Sequence, residues 1–531
     1  MHAATESCQT APRSNLLCLL VQAYCNRTIV NCYVGYVFHS SVLVQTLYCV
    51  QMAPRTSTAF KIVSGMNIMD LRKSILVALL AFSQLSVAQY QPTWDSLDSR
   101  PLPDWFDKAK VGIFIHWSVN SVPAFAPGFG TACRFWQYLT QENKEVVQYL
   151  QDYYGPQFTY QDFGPMFKAD LWNPNEWASL FKKAGAKYVV FVSKHHEGWN
   201  NWKSKYQWGW NSVDEGPKRD IVGDLAAAIR NTTDLHFGIY HSLMAFYNPD
   251  FLDDLASNFT SRKYPVNVAI PQLKELVTLY KPELIWSDGV KSPSTDNYWG
   301  SKEFLAWLYN ESPVKDYVVV NDRWGTGDLC KHGGYLTCGD RFNPRRLQKR
   351  KWEGAFTIDT SSWCYKRNEK LGKYMSSKKI IKLLVEIVSC GGNFLIDIGP
   401  SSDGMIPLIF QERLLDMGAW LEINGEAIYE SSPWRAQNDS VTEGVWYTSK
   451  KNASGQLVVY AHVLDWPIKG KLILGSPTVT EETEVTMLGV PFPLPWTLSD
   501  PDEFLIVNMG VITFTDMPNL NAWTLKLSNV S

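Results

Sequence analysis

From about Pro101 to Tyr429 the sequence repeats one pattern: a short apolar, β-branched or aromatic run followed by a longer amphipathic stretch. The runs are VGIFIHW (111–117), AKYVVFVSKHH (186–196), HFGIYHS (236–242), ELIWSDG (283–289), YVVVNDRWG (317–325), AFTID (355–359) and NFLIDIGP (393–400). Between them lie helix-like segments such as NPNEWASLFKKAGA, DIVGDLAAAIRN, IPQLKELVTLYKP, SKEFLAWLYNES and SKKIIKLLVEIVSCGG. Near-continuous apolar strands alternating with helices indicate a parallel sheet covered on both faces. Seven or eight such units predict an α/β fold, a (β/α)8 TIM-like barrel in preference to a doubly wound sheet.

Nearly every run ends in residues capable of chemistry: His116, Lys194 to Glu197, Tyr240 with His241, Asp288, Asp322 with Arg323, and Asp397. Barrels assemble their active sites from C-terminal strand ends. A single polar strand end shows only where polarity resumes, but the same feature on six strands predicts a catalytic face. After Pro433 the pattern becomes short alternating strands (VWYTSK, QLVVYAHVL, GKLILGS, EVTMLGV, FLIVNMG, AWTLKLS) separated by turn residues. The expected organisation is therefore a barrel over residues 89–432 and an antiparallel β-sandwich over 433–531.

The N-terminal part has a different character. In MNIMDLRKSILVALLAFSQLSVAQYQ, Arg72 and Lys73 precede an apolar run from Ile75 to Leu85, followed by Ser86-Val87-Ala88. This is the composition of a secretory signal over residues 66–88, cleaved after Ala88, and the run is too short for a membrane span. Residues 1–65 hold Cys8, Cys18, Cys25, Cys32 and Cys49 without a clear helical or strand period, and read as an upstream extension absent from the mature protein. A genuine atypical leader or membrane anchor is the rival reading. A secreted route agrees with the Asn-x-Ser/Thr acceptors at Asn231, Asn258, Asn310, Asn438, Asn452 and Asn529.

Composition narrows the function. With 50 Lys plus Arg against 52 Asp plus Glu, the formal charge is −2, and the chain lacks the basic excess of a nucleic-acid binder. Its 22 Trp exceed ordinary packing needs, and flat amphipathic rings make good platforms for sugar faces. No Gly-rich phosphate loop, nucleophile elbow or zinc-protease helix motif is present. Cys330 and Cys338 are close enough in CKHGGYLTC to form a small disulfide, and no second ligand pair at zinc spacing accompanies His332, so no metal and no cofactor are expected. What remains is a set of strand-end carboxylates, histidines, an arginine and tryptophans. Paired carboxylates with stacking aromatics in a barrel mouth suit glycoside hydrolysis. Asp288, between the apolar run Leu284-Ile285-Trp286 and Gly289, is the best nucleophile candidate.

The stretches WFDKAKVGIFIHW, FGPMFKADLWNPNEWASLFKKAGAKYVVFVSKHHEGW, GPKRDIVGDL, IWSDG, SPVKDYVVVNDRWG, GGNFLIDIGPSSDG and FQERLLDMGAWLEINGEAIYESSPW resemble the α-L-fucosidases of glycoside hydrolase family 29. The resemblance runs from about Leu97 to Leu527. It implies a retaining exo-hydrolase of terminal α-L-fucose on glycans, with a covalent fucosyl-Asp288 intermediate. It places the acid/base on Glu353 of Lys351-Trp352-Glu353, with Glu197 and Glu426 as alternative carboxylates. It assigns sugar contacts to His116, His195, His196, Tyr240, Trp286 and Arg323, and implies a lysosomal or extracellular protein and, as an open expectation, a homo-oligomer.

Departures from the family pattern fall in the expected pocket. Cys133-Arg134 stands where the family tends to have Glu-Trp, Val290-Lys291 follows Asp288-Gly289, and Asp397 replaces a frequent Asn. A cation at Arg134 is expected to weaken fucose binding or stabilise Asp288 as an anion. These changes leave open a second class of function, a catalytically weak or inactive fucose-binding relative. Among the tryptophans, Trp117, Trp199, Trp286 and Trp324 are expected to line or buttress the pocket. Trp172, Trp177, Trp307 and Trp420 sit in helix-like segments and are expected to pack.

Overall fold

The computed structural model describes residues 31–39, 42–50, 90–290 and 294–531. The chain divides into two compact units, Met1–Ala88 and Gln89–Ser531. In the first, β1 (Asn31–His39) and β2 (Val42–Val50) pair antiparallel, with Asn31 opposite Val50 and His39 opposite Val42. The sequence shows no strand period there because both runs are apolar or aromatic at most positions, which removes the alternation that marks a strand. The leader run Ile75–Leu85, the cleavage point after Ala88, and Cys8, Cys18, Cys25 and Lys291 lie outside the described residues.

The second unit is built on a parallel sheet. Its strands are β3 (Val111–Ile115), β4 (Tyr188–Lys194), β5 (His236–Ser242), β6 (Leu284–Asp288), β7 (Val319–Val320), β8 (Trp352–Thr357) and β9 (Gly392–Ile398), in the order β7-β6-β5-β4-β3-β9-β8. Every residue of β3, β4, β8 and β9 is buried, which is why these runs read as continuous apolar sequence. The run expected at 317–325 contributes only the two residues of β7; beyond it the backbone contact weakens to Asn321 N donating to Ile285 O at 3.4 Å, and the Asn321 side chain takes over the bonds to Ser287 N and O. Between β7 and β8 the backbone at Tyr335-Leu336 takes the remaining place in the ring. Tyr335 N donates to Val320 O at 3.1 Å, and Glu353 N donates to Leu336 O at 2.8 Å. The barrel thus closes through extended backbone too short to count as a strand.

The five helix-like segments form Pro174–Lys183, Ile221–Thr232, Ile270–Tyr280, Ser301–Asn310 and Ser377–Ser389. Three begin at side-chain caps: Asn173, Asp220 and Ser376 each accept a backbone N–H of the first turn. Ser377–Ser389 buries Ile380, Ile381, Leu384, Val385, Ile387 and Val388 on one face, so its apolar stripe is matched to the sheet. Gly185 ends Pro174–Lys183 at φ +79°, where a Cβ would also stand 2.7 Å from Leu421.

After the barrel, β10 (Ser432–Asn438), β11 (Val445–Lys451), β12 (Leu457–Val463), β17 (Trp523–Val530) and β14 (Val479–Met487) form one antiparallel sheet in that order. β13 (Lys471–Leu474), β16 (Leu505–Asn508) and β15 (Trp496–Leu498) form a second. Leu472, Leu474, Leu505 and Val507 of the smaller sheet share a core with Val459, Ala461, Leu525 and Leu527 of the larger one, which is the expected sandwich. β10 and β15 were not visible in the sequence: β10 contains Pro433 and a register shift, and β15 has three residues. The sandwich is held to the barrel by Trp420 Nε1 donating to Ala522 O at 2.9 Å and by Lys378 and Lys382 pairing with Asp465.

Candidate active site

The C-terminal ends of the barrel strands open into a cavity of about 530 Å³. Strand alternation decides which side chains reach it. On β6, Trp286 and Asp288 face inward, while Ser287 turns outward and bonds Asn321. On β5, Tyr240 faces inward, and His241 turns outward to Ser193. On β4, simple alternation would carry Lys194 into the barrel after Val190 and Val192. A register shift between Val192 and Lys194 prevents this. Lys194 instead bonds Tyr264 and Gln272 at 2.9 and 3.0 Å, and His195 and His196 enter the cavity.

Asp288 sits at the floor with four groups around it. The Tyr240 hydroxyl donates to Oδ2 at 2.9 Å, His196 Nε2 lies 3.5 Å from the same oxygen, and Arg323 Nη1 lies 3.8 Å from Oδ1. His195 adds a favourable field. Burial lifts the Asp288 carboxyl above the usual range, and Arg323, Tyr240 and His195 oppose that rise. Arg134, expected from the sequence to act on Asp288, is not among these partners; Arg323 is the cation that faces it. Gly289 is needed for space rather than for an unusual φ, since a Cβ there would come within 2.5 Å of Leu243.

Arg323 is 6% exposed and is held on every side. Its guanidinium lies over the Trp286 ring at 4.4 Å, Nε donates to Thr337 at 3.0 Å, and Nη2 pairs with Asp340 at 2.8 Å. Thr337 donates in turn to Asp322 at 2.6 Å. Asp322 also accepts the backbone N–H groups of Cys330 and Cys338, which are joined in a disulfide as their spacing suggested. Asp322 is therefore an anchor for the loop that aims Arg323, not a pocket residue.

His116 and His195 also line the cavity, each with a buried carboxylate behind it. His116 Nδ1 lies 2.6 Å from Asp397 Oδ1, and His195 Nδ1 lies 3.3 Å from Glu197 Oε2. Burial holds His116 well below the usual imidazole range and drives Asp397 well above the usual carboxylate range. The pair therefore favours its net-neutral form, in which His116 Nε2 carries a hydrogen toward the cavity, a donor for a sugar hydroxyl. Glu197 accepts from Ser118 at 2.6 Å through its other oxygen, is 5% exposed and does not line the cavity; its contact with His195 is not a hydrogen bond.

The structure separates Glu353 from this group. It is the second residue of β8, fully buried one side-chain layer beneath the cavity, and it does not line it. Tyr188 donates to Oε2 at 2.6 Å and Trp286 Nε1 to Oε1 at 2.9 Å. Burial pushes its carboxyl up to about 7. The charged stretch RRLQKRKWEG thus ends in a strand of the barrel interior. Glu426 bonds Tyr460 and Lys526 beside the sandwich, away from the cavity. The carboxylate that does line the cavity with Asp288 is Asp340, which is half exposed. It follows Tyr335-Leu336 at the end of the eighth barrel position, and its signal in the sequence was the polar Gly339-Asp340-Arg341 after that short apolar pair.

Other residues of the wall were also missed. Cys133 and Cys364 form a disulfide across a separation of 231 residues, and Trp363 beside it lines the cavity. Spacing cannot reveal so distant a pair. Of the four tryptophans expected at the pocket, Trp286 lines it, whereas Trp117, Trp199 and Trp324 are fully buried in the core behind it. Among the described residues, no group of three or more His, Cys, Asp or Glu is arranged to hold a metal ion, and no helix is long and apolar enough to cross a membrane.

Comparison with known proteins places this geometry. A family described as Alpha-L-fucosidase matches residues 78–426, and Alpha-L-fucosidase C-terminal domain matches residues 437–528. Plasma alpha-L-fucosidase of Rattus norvegicus is 52% identical over 86% of this chain and 98% of its own length. Tissue alpha-L-fucosidase of Homo sapiens is 49% identical over 83% of this chain and 92% of its own. Among solved structures, a Thermotoga maritima alpha-fucosidase in complex with fucose has a TM-score of 0.70 at 32% identity, covering 82% of this chain and 100% of that one.

Proposed function

The chain belongs to the alpha-L-fucosidase family, and from that premise we propose that it removes terminal α-L-fucose from fucosylated glycans with retention, through a covalent fucosyl-Asp288 intermediate. The observation that carries this reading is the pair of pocket carboxylates, Asp288 and Asp340, engaged by one guanidinium, that of Arg323. Asp288, ionised and held by Tyr240 and Arg323, attacks the anomeric carbon. Asp340 gives its proton to the departing glycosidic oxygen and afterwards takes one from the water that releases fucose. Glu353 cannot reach that oxygen from beneath Trp286; it holds the Trp286 indole and keeps the floor of the pocket in place.

His116 and His195 are placed to bond the sugar hydroxyls, with Asp397 fixing the His116 ring. Trp286, Trp363 and Phe246 offer the apolar surface that a 6-deoxy sugar needs for its methyl and ring face. Donors aimed at oxygens whose charge changes in the oxocarbenium-like transition state turn binding into rate.

Plasma and tissue relatives support a secreted or lysosomal protein, and two disulfides among the described residues fit an oxidising compartment. The mature chain begins near residue 89, downstream of a leader over 66–88. A recognition-only role rested on the altered loop at Cys133-Arg134. That loop is a disulfide-pinned wall of a pocket that keeps both carboxylates. An aryl α-L-fucoside assay tests the reading: wild type turns over the substrate and Asp288→Gly does not, whereas fucose binding without any turnover by wild type refutes it.

A further inference from the structure

The fucose pocket continues outward past Trp363 into a wall whose charged residues have no part in the reaction proposed above. Phe129, 76% exposed, and Arg134 come from the loop after β3, and Arg341 and Trp363 come from the segments on either side of β8. All four line the same cavity. The charges are unbalanced. Both carboxylates facing the cavity, Asp288 and Asp340, are engaged by Arg323. Arg134, Arg341 and Lys373 form no ion pair among the described residues, although Arg341 donates to Thr357 at 2.9 Å and lies over Trp363 at 5.0 Å. The Lys373 ammonium lies 4.5 Å from the centre of the Phe129 ring.

The wall is also preorganised. Cys133–Cys364 joins the two loops, and beside it Lys366 Nζ donates to Gly128 O at 2.8 Å and Asn368 Nδ2 to Ala126 O at 3.0 Å. Loops fixed in this way lose little entropy when a ligand arrives. An exposed aromatic face beside guanidinium forks suits a sugar carrying a carboxylate or a sulfate ester.

Building on the hydrolase reading above, we propose that the mouth of the pocket is an aglycone site for an anionic glycan, with Arg134 and Arg341 receiving the negative group carried next to the fucose-bearing residue. A carboxylate and a sulfate share the chemistry, and the substrates tested separate the two.

The test compares kcat/KM for three fucosylated oligosaccharides of one linkage: neutral, sialylated and sulfated. A neutral aryl fucoside serves as control, and non-hydrolysed thio-linked analogues of the three are titrated by calorimetry. The expected result is a preference for at least one anionic form of about fivefold at low salt, collapsing toward unity in about 0.5 M NaCl. Arg134→Gln lowers the anionic-to-neutral ratio about fivefold, and Arg134→Glu inverts it. Preference for the sialylated form alone assigns the site to carboxylates, and for the sulfated form alone to sulfate esters. Equal or lower kcat/KM for both anionic forms, unmoved by salt and by Arg134→Glu, overturns the proposal. Absence of aryl-fucoside turnover refutes the hydrolase reading separately, and the titrations still decide whether the mouth prefers an anion.

Discussion

Replacing Glu353 by Gln separates the two carboxylates considered for acid/base work, because the proposed mechanism gives Glu353 a stability phenotype and Asp340 a chemical one. Glu353 accepts from Tyr188 and Trp286 in a fully buried site. The Glu353→Gln amide keeps the shape but turns one acceptor into a donor, leaving about one buried donor unpaired at roughly 1–3 kcal/mol. The wild-type carboxyl, pushed up to about 7 by burial, binds a proton in the folded state that an unfolded Glu releases near 4.5. A raised carboxyl pKa stabilises the fold at low pH, and that stability is lost as pH rises from 4.5 through 7. From about pH 5 to about pH 8 this amounts to about 2.5 kcal/mol at roughly 1.36 kcal/mol per unit. The variant lacks this component, so its unfolding temperature falls less between those pH values than that of wild type.

Kinetics completes the experiment. Asp340→Gly is expected to retain turnover of an aryl fucoside with a good leaving group and to lose about 10²–10⁴-fold on a natural glycan, which needs the proton. Azide, a nucleophile that needs no general base, attacks the fucosyl-enzyme in place of water and restores its second step as fucosyl azide. Glu353→Gln is expected to lower both substrates by similar factors. If Glu353→Gln alone shows the leaving-group dependence and azide rescue, while Asp340→Gly behaves as wild type, the assignment of the acid/base is wrong.

Three further outcomes are expected. Tyr240→Phe removes a hydrogen bond that favours ionised Asp288, so the acid limb of kcat/KM shifts to higher pH and kcat falls about tenfold; an unmoved acid limb contradicts that role. Cys133→Ala with Cys364→Ala frees the two loops of the pocket wall, and KM for oligosaccharides rises more than kcat falls; unchanged KM shows that the loops hold without the bond. Glycan mapping of secreted protein should find Asn231 and Asn258 modified and Asn310 bare, because Asn310 accepts from Tyr90 N and donates to Tyr90 O at 2.9 Å each; a glycan on Asn310 contradicts that packing.

The barrel was legible because fully buried parallel strands leave a continuous apolar signal, and five of the seven runs delivered a strand-end residue to the cavity. His116, Tyr240, Trp286, Asp288 and Arg323 all reach the cavity for that reason. The signal fails where a strand shrinks. Val319-Val320 and Tyr335-Leu336 complete the ring with two residues each, so the polar end of the eighth position, with Asp340, looked like loop. The burial of Glu353 had no local signal either: RRLQKRKWEG is dominated by charge, yet its last residues enter β8 and carry the glutamate inside. The bulge that turns Lys194 out and the histidines in, and the bond between Cys133 and Cys364, depend on contacts with distant chain that no local pattern encodes.

The central claim is that Asp288 becomes covalently fucosylated. Incubating the protein with a 2-deoxy-2-fluoro fucosyl donor bearing a good leaving group slows the second step and accumulates the intermediate. Peptide mass spectrometry is expected to find one fluorofucosyl label on the peptide containing Trp286-Ser287-Asp288-Gly289, with label and inactivation proceeding together. A label on Asp340 or Glu353, or inactivation with Asp288 unmodified, contradicts it.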